Sequence, residues 1–192
     1  MIKVLALDIA MHRTGWAVGS ADGSPPSWGV FETENWKDNE GENLAAFRNQ
    51  VLRKHTFLTH IVIEEVFVDV RNASRFQYNG THAQMQLQAM ALLYCHDEMI
   101  TPLTANISDW RMRFLGMNRK PKDFKGDANY WKTLALKAAA DRNWYCEHHD
   151  SAEALGIMDF ALANLDKEYK LRTNPILNRK QADITFKRGA HA

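Results

Sequence analysis

Four acidic side chains stand where chemistry is possible: Asp8, Glu64, Asp150 and Glu153. Asp8 ends the apolar run Val4-Leu5-Ala6-Leu7, and Glu64 ends a second, Ile61-Val62-Ile63. Asp150 and Glu153 lie three apart in Asp150-Ser151-Ala152-Glu153-Ala154-Leu155, a stretch of helical character. A carboxylate at the end of a buried strand is costly unless a partner compensates it. Strand-end acids brought together with an i, i+3 acid pair offer hard oxygen ligands to divalent cations such as Mg²⁺, and two such ions can clamp a phosphodiester. The spacing puts Asp150 and Glu153 on one helix face. A helix N-terminus there favours their ionised form.

The elements that must position these acids are legible from the hydrophobic pattern. Residues 2–9 read as a buried strand, Gly15–Gly19 as a second, and Ser27–Thr33 as a third, joined by short turns into an antiparallel meander. Glu42–Lys54 has helical spacing, with Leu44, Phe47 and Val51 on one face. His60–Phe67 is a fourth strand whose apolar start suits a central place. A loop over Asp69–Gly80 precedes a helix from Thr81, an expected N-cap paired with Gln84, to about His96. Ile100–Leu103 is a short fifth strand, and Ser108 or Asp109 caps a short helix with Trp110 and Phe114. A polar, basic loop over 116–127 leads to helices at Asn129–Arg142 and Asp150–Leu165. The expected fold is α/β, with a mixed five-stranded sheet flanked by helices. Asp8 and Glu64 emerge side by side if the first and fourth strands are neighbours.

Asp8 with Thr14-Gly15-Trp16-Ala17 resembles the first motif of RuvC-type Holliday junction resolvases, within the RNase H-like superfamily. Ile63-Glu64-Glu65-Val66-Phe67 is similar to the second, and Asp150-Ser151-Ala152-Glu153-Ala154-Leu155 to the third. Order and rough spacing agree over residues 1–165, read as one nuclease domain; 166–192 read as a polar, basic, loosely held tail. The resemblance implies an RNase H-like fold. It implies a homodimer that nicks opposing strands of a four-way DNA junction symmetrically with two Mg²⁺, for which Mn²⁺ can substitute. Asp8, Glu64, Asp150 and Glu153 then ligate the metal. Phe67 matches an aromatic that stacks on bases at the junction centre. Arg71, Asn72 and Arg75 occupy the stretch that touches the junction. The sequence departs from the pattern at Glu153, where aspartate is usual. Histidine serves as third ligand in some members, which makes His149 a rival to Asp150. Glu65 is expected on the other strand face.

Other readings compete. Asp8 alone reads as a turn residue, and Asp150 with Glu153 has the spacing of an N-cap and its capping-box partner. All of these must hold together to remove the site. Cys146, His148 and His149 lack a second ligand pair at zinc spacing. Met85–Met90 reads as core or dimer interface. An actin-like nucleotide binder also starts with a strand-end aspartate, but no second glycine-rich loop follows. Two functional alternatives stay open: an RNase H-like nuclease for other branched or hybrid nucleic acid, and a catalytically idle junction-binding protein.

The whole chain bounds these choices. Its 192 residues suffice for one domain with a sizeable core, and 45% hydrophobic with 24% charged residues is ordinary for a globular protein. No apolar run approaches the roughly 20 residues of a membrane span. Two cysteines give no disulfide framework, and the start of the chain shows no signal-peptide layout, so a cytoplasmic setting is expected, in a bacterium or a phage-infected cell. Net charge is only +1, but Arg111, Arg113, Arg119, Lys120, Lys122, Lys125 and Lys132 crowd one stretch. Lys120, Lys122, Lys125 and Lys132 are expected phosphate contacts, which position a duplex without reading its sequence. A basic side chain near Lys125 or Lys132 is the expected transition-state partner.

Overall fold

Val4, Leu5, Ala6 and Leu7 are fully buried, as a strand covered on both faces requires. The computed structural model describes residues 1–33, 35–65, 75–121 and 129–173, the side chains of 75–80 excepted. β1 (Lys3–Asp8) is the central strand of a five-stranded sheet of order β3-β2-β1-β4-β5. β2 (Arg13–Ser20) and β3 (Ser27–Glu32) continue antiparallel on one side. β4 (His60–Glu64) and β5 (Thr101–Ala105) run parallel to β1 on the other. The mixed sheet expected from the sequence is the sheet observed.

Alternation along the strands divides the core into two layers. Leu5, Leu7, Ile61 and Ile63 pack with Phe47, Leu52 and Leu87. These come from α1 (Glu40–Phe47), its π-helical continuation Arg48–Leu52, and α2 (Arg75–Asp97). Val4, Ala6, Ala17 and Val62 pack with Trp110, Ala135 and Leu155. That layer holds α3 (Ile107–Leu115), α4 (Tyr130–Ala140) and α5 (His149–Leu165). Asp8 follows Val4 and Ala6 at the same period of two, and Glu64 follows Val62. Both acids therefore belong to the α5 face.

Small residues let α5 lie close to the sheet. A Cβ at Gly15 would stand 2.0 Å from the Asp150 carbonyl oxygen, and one at Gly19 would stand 2.4 Å from the Met158 sulfur. On its outer side α5 meets α3, where a Cβ at Gly156 would lie 2.8 Å from the Phe114 ring. Three glycines thus fix how near the acid-bearing helix comes to its neighbours.

Several boundaries differ from the sequence reading. α2 starts at Arg75, so Thr81 is an interior helical residue and not a cap. An interior glycine such as Gly80 costs only about 1 kcal/mol, which a long packed helix absorbs. α3 is capped by Asn106, whose side chain accepts from the Ser108 amide at 2.9 Å; Asn caps as well as Ser or Asp. The stretch after Leu165 is not wholly a loose tail. Asp166 caps a further helix, α6 (Lys167–Arg172), and accepts from the Tyr169 amide at 2.7 Å. Tyr169 is buried and donates to Asp159 Oδ1 at 3.0 Å; Arg113 Nε lies 2.8 Å from Oδ2 of the same carboxylate. The sequence reading missed this because Tyr169 is one apolar body among charges, with no periodic stripe around it. Among the described residues no helix is long and apolar enough to cross a membrane.

Candidate metal centre and active site

β1 and β4 pair in parallel with Leu7 opposite Ile63, so the next positions, Asp8 and Glu64, end adjacent strands together. Asp8 pairs across to Gly15 on β2. That glycine admits the first turn of α5, and with it Asp150 and Glu153. The sequence-predicted acids from three separate segments are brought to one end of the sheet.

The electrostatics record how close they stand. Burial pushes the Asp8 carboxyl well above its ordinary range, and the charges of Glu153, Glu64 and Asp150 push it further, against Arg111. Burial and then the Glu64 charge raise Glu153 to about 7. Glu64 is raised by burial, partly offset by a hydrogen bond from Trp110 and by Arg111. Trp110 Nε1 donates to Glu64 Oε1 at 2.6 Å. Arg111 Nη2 lies 3.8 Å from Glu153 Oε1. Trp110→Phe removes that indole donor while keeping an aromatic ring against Gly156. Because a hydrogen bond to a charged group contributes about 1.5–3 kcal/mol, Mn²⁺ affinity at the cluster should fall roughly tenfold or more with the fold intact; unchanged affinity would show that Glu64 needs no such support.

The first turn of α5 answers the capping question. Its N-cap is His148, which makes no side-chain cap, and Asp150 lies inside the helix. Asp150 Oδ1 is 2.8 Å from His149 Nδ1, and Asp150 Oδ2 is buried without a hydrogen-bond partner, 3.8 Å from Arg13 Nη1. Burial lowers the His149 pKa, against the pull of Asp150. One ligand atom from each of His149, Asp150 and Glu153 lies within 4.8 Å of the others. Asp8 and Glu64, at the strand ends, are not in that group of three and act on Glu153 through their charges.

These residues fit a hard dication. Carboxylate oxygens are the donor set for Mg²⁺ or Mn²⁺. Asp150 Oδ2 is an unused acceptor. Neighbouring acids add to burial in raising Asp8 and Glu153, a local shortage of positive charge that a bound cation reverses. The shortage has a consequence for stability without metal. Glu153 moves from its ordinary 4.5 to about 7 on folding. Between those values the folded protein keeps a proton that the unfolded chain has released. Stability is therefore full below the unfolded value and is lost as pH rises through the folded one. In EDTA the melting temperature should fall from about pH 5 to about pH 8, and Glu153→Gln should flatten the slope. A profile equally steep in the variant would assign the effect elsewhere.

The expected DNA contacts are only partly placed. Lys132 acts on Glu153 and His149 from α4, and Lys120 Nζ lies 5.7 Å from the Tyr130 ring centroid. Phe67, Arg71, Asn72, Lys122 and Lys125 lie outside the described residues, as does the side chain of Arg75. Glu65 is exposed and accepts from Asn106 at 2.9 Å, apart from the cluster. Sequence reasoning missed Arg13, which also contacts Glu32 at 2.7 Å, the bond from Trp110 to Glu64, and Trp131, whose ring centroid lies 4.7 Å from the Arg111 guanidinium. Arg13 stands directly before the Thr14-Gly15 motif, a signal that was available. Trp110 and Trp131 reach the site only through the packing of α3 and α4, which no local pattern announces.

Neither a family model nor a curated protein sequence matches the chain. Solved structures do. Thermus thermophilus RuvC superposes with a TM-score of 0.58 at 14% identity, over 81% of this chain and 90% of that one. T. thermophilus RuvC in complex with Holliday junction substrate gives 0.61 at 15%, over 82% and 90%. The fowlpox virus Holliday junction resolvase gives 0.51 at 10%, over 86% and 100%. The acids of β1, β4 and α5 are thus carried on an RNase H-like fold of the RuvC kind.

Proposed function

We propose that the protein is a metal-dependent endonuclease that resolves four-way DNA junctions by paired, symmetric nicks. The observation that carries this reading is the convergence of Asp8, Glu64, Asp150 and Glu153 at one end of a RuvC-like sheet. Those four would hold two Mg²⁺, or Mn²⁺ in its place. When bound, the ions supply an activated water and relieve charge at the phosphorus. The chain's own residues set the geometry. Trp110 orients Glu64. His149 stands against Asp150 Oδ1 and leaves Oδ2 without a hydrogen bond, so in this reading His149 supports Asp150 and does not replace it. Lys132 and the basic stretch around Lys120, Lys122 and Lys125 would contact phosphates, and Phe67, Arg71, Asn72 and Arg75 would meet the junction centre.

Paired nicks need two sites, hence a homodimer. Met85, Leu92 and Leu93 are half-exposed on α2, at 55%, 43% and 56%. Their i, i+7, i+8 spacing makes one apolar stripe suited to a second copy. Both cysteines are free, in keeping with a cytoplasmic setting.

The test is a panel of end-labelled substrates in Mg²⁺: four-way junction, flap, RNA–DNA hybrid and linear duplex. Cutting confined to the junction is expected. Preference for hybrid or flap would replace the junction reading with a broader RNase H-like nuclease. Junction binding with no cutting in Mg²⁺ or Mn²⁺ would make the protein a binding module.

A further inference from the structure

Arg111 is a cation placed inside an acid cluster, and its mode of attachment is unusual. Its guanidinium lies 5.4 Å from the Trp110 ring centroid and 4.7 Å from that of Trp131. It reaches the Glu153 carboxylate only at 3.8 Å, with the side chain 17% exposed. Nε is buried with no hydrogen-bond partner. A committed arginine–carboxylate pair makes short, often bidentate bonds at about 2.7–2.9 Å. Here indole faces hold the charge, by cation–π contact that suits a delocalised guanidinium. The same charge favours the ionised forms of Asp8, Glu64 and Glu153. Trp110 serves both partners, donating its N–H to Glu64 and offering its ring to Arg111.

We infer that Arg111 is a resident counter-cation of the acid cluster: it holds Asp8, Glu64 and Glu153 together before any divalent ion arrives, and it competes with that ion for them. A positive charge beside the acids stabilises the metal-free fold and repels an incoming dication. Loose attachment at 3.8 Å lets the acids turn from arginine to metal without breaking short bonds. Arg111 is a positioning residue in this role. The inference rests on the metal-site reading above and deepens it.

The test is Mn²⁺ titration by calorimetry, with melting in EDTA and in saturating Mn²⁺, for the native protein, Arg111→Met and Arg111→Lys. Arg111→Met should melt lower than the native protein in EDTA. It should bind Mn²⁺ on the order of tenfold more tightly, since one unit charge a few ångströms away is removed. Its gain in melting temperature from Mn²⁺ should exceed the native gain, and Arg111→Lys should restore native affinity. Arg111→Met binding Mn²⁺ no more tightly than the native protein would overturn the inference and leave the metal site standing. A variant unfolded in EDTA and refolded by Mn²⁺ would uphold it. If Arg111→Met folds in neither condition, Trp131→Leu decides. Loosening the indole cage should tighten Mn²⁺ binding, and unchanged affinity would overturn the inference. A native protein that binds no Mn²⁺ would sink the metal-site reading itself.

Discussion

Asp8→Asn is expected to abolish junction cutting and, in the absence of metal, to raise the melting temperature. Asp8 is pressed by burial and by the charges of Glu153, Glu64 and Asp150. Asparagine keeps nearly the same shape and removes one charge from that group. A gain of about 1 kcal/mol would raise the melting temperature by about 3 °C in a domain of this size. The cost falls on chemistry. A carboxylate ligand contributes to transition-state charge stabilisation worth several kcal/mol, so cutting should drop roughly 10³-fold or more. Gain in stability with loss of cutting is the signature of a functional acid. A variant that cuts at the native rate, or that only loses stability, would make Asp8 a structural turn residue.

The second large effect is expected at Gly15, which is not a ligand. A Cβ there would lie 2.0 Å from the Asp150 carbonyl oxygen and 2.4 Å from its carbon, both backbone atoms that cannot swing aside. Gly15→Ala must therefore push the first turn of α5 away from β2. Overpacking against side chains costs about 1–3 kcal/mol, and against backbone the upper end applies. The melting temperature should fall by about 6–12 °C. Cutting should fall roughly a hundredfold, because a shift of about 1 Å in a catalytic group costs that much. Measured together, the two variants separate the roles: Asp8→Asn loses activity while gaining stability, and Gly15→Ala loses both. A Gly15→Ala protein with native stability would show that α5 does not sit where the structure has it.

Why so much was legible follows from particular residues. Val4-Leu5-Ala6-Leu7-Asp8 and Ile61-Val62-Ile63-Glu64 are apolar runs too short for helices and too apolar for an exposed strand. Each ends in an acid that a buried strand would not otherwise carry. Their neighbourhood is the register observed, Leu7 opposite Ile63. The capping-box alternative for Asp150 and Glu153 could not be settled from spacing alone, since cap and ligand pair share it; the helix beginning one residue earlier, after His148, excludes Asp150 as the cap. Arg111 and Trp110 were visible only as a basic residue and a short-helix aromatic. Their meaning depends on α3 crossing α5 at Gly156, a long-range contact. α6 was missed for the same reason, since Tyr169 is explained by Asp159 and Arg113 and not by its sequence neighbours.

Junction resolution is tested most directly by cutting of a supercoiled plasmid that extrudes a four-way junction, in Mg²⁺ and in EDTA. Paired nicks across the junction linearise the plasmid, whereas independent single nicks give an open circle. A linear product is expected in Mg²⁺ only, with ends at the extruded junction, and none from a plasmid without the junction. Equal attack on both plasmids, open circles alone, or cutting that persists in EDTA would contradict it.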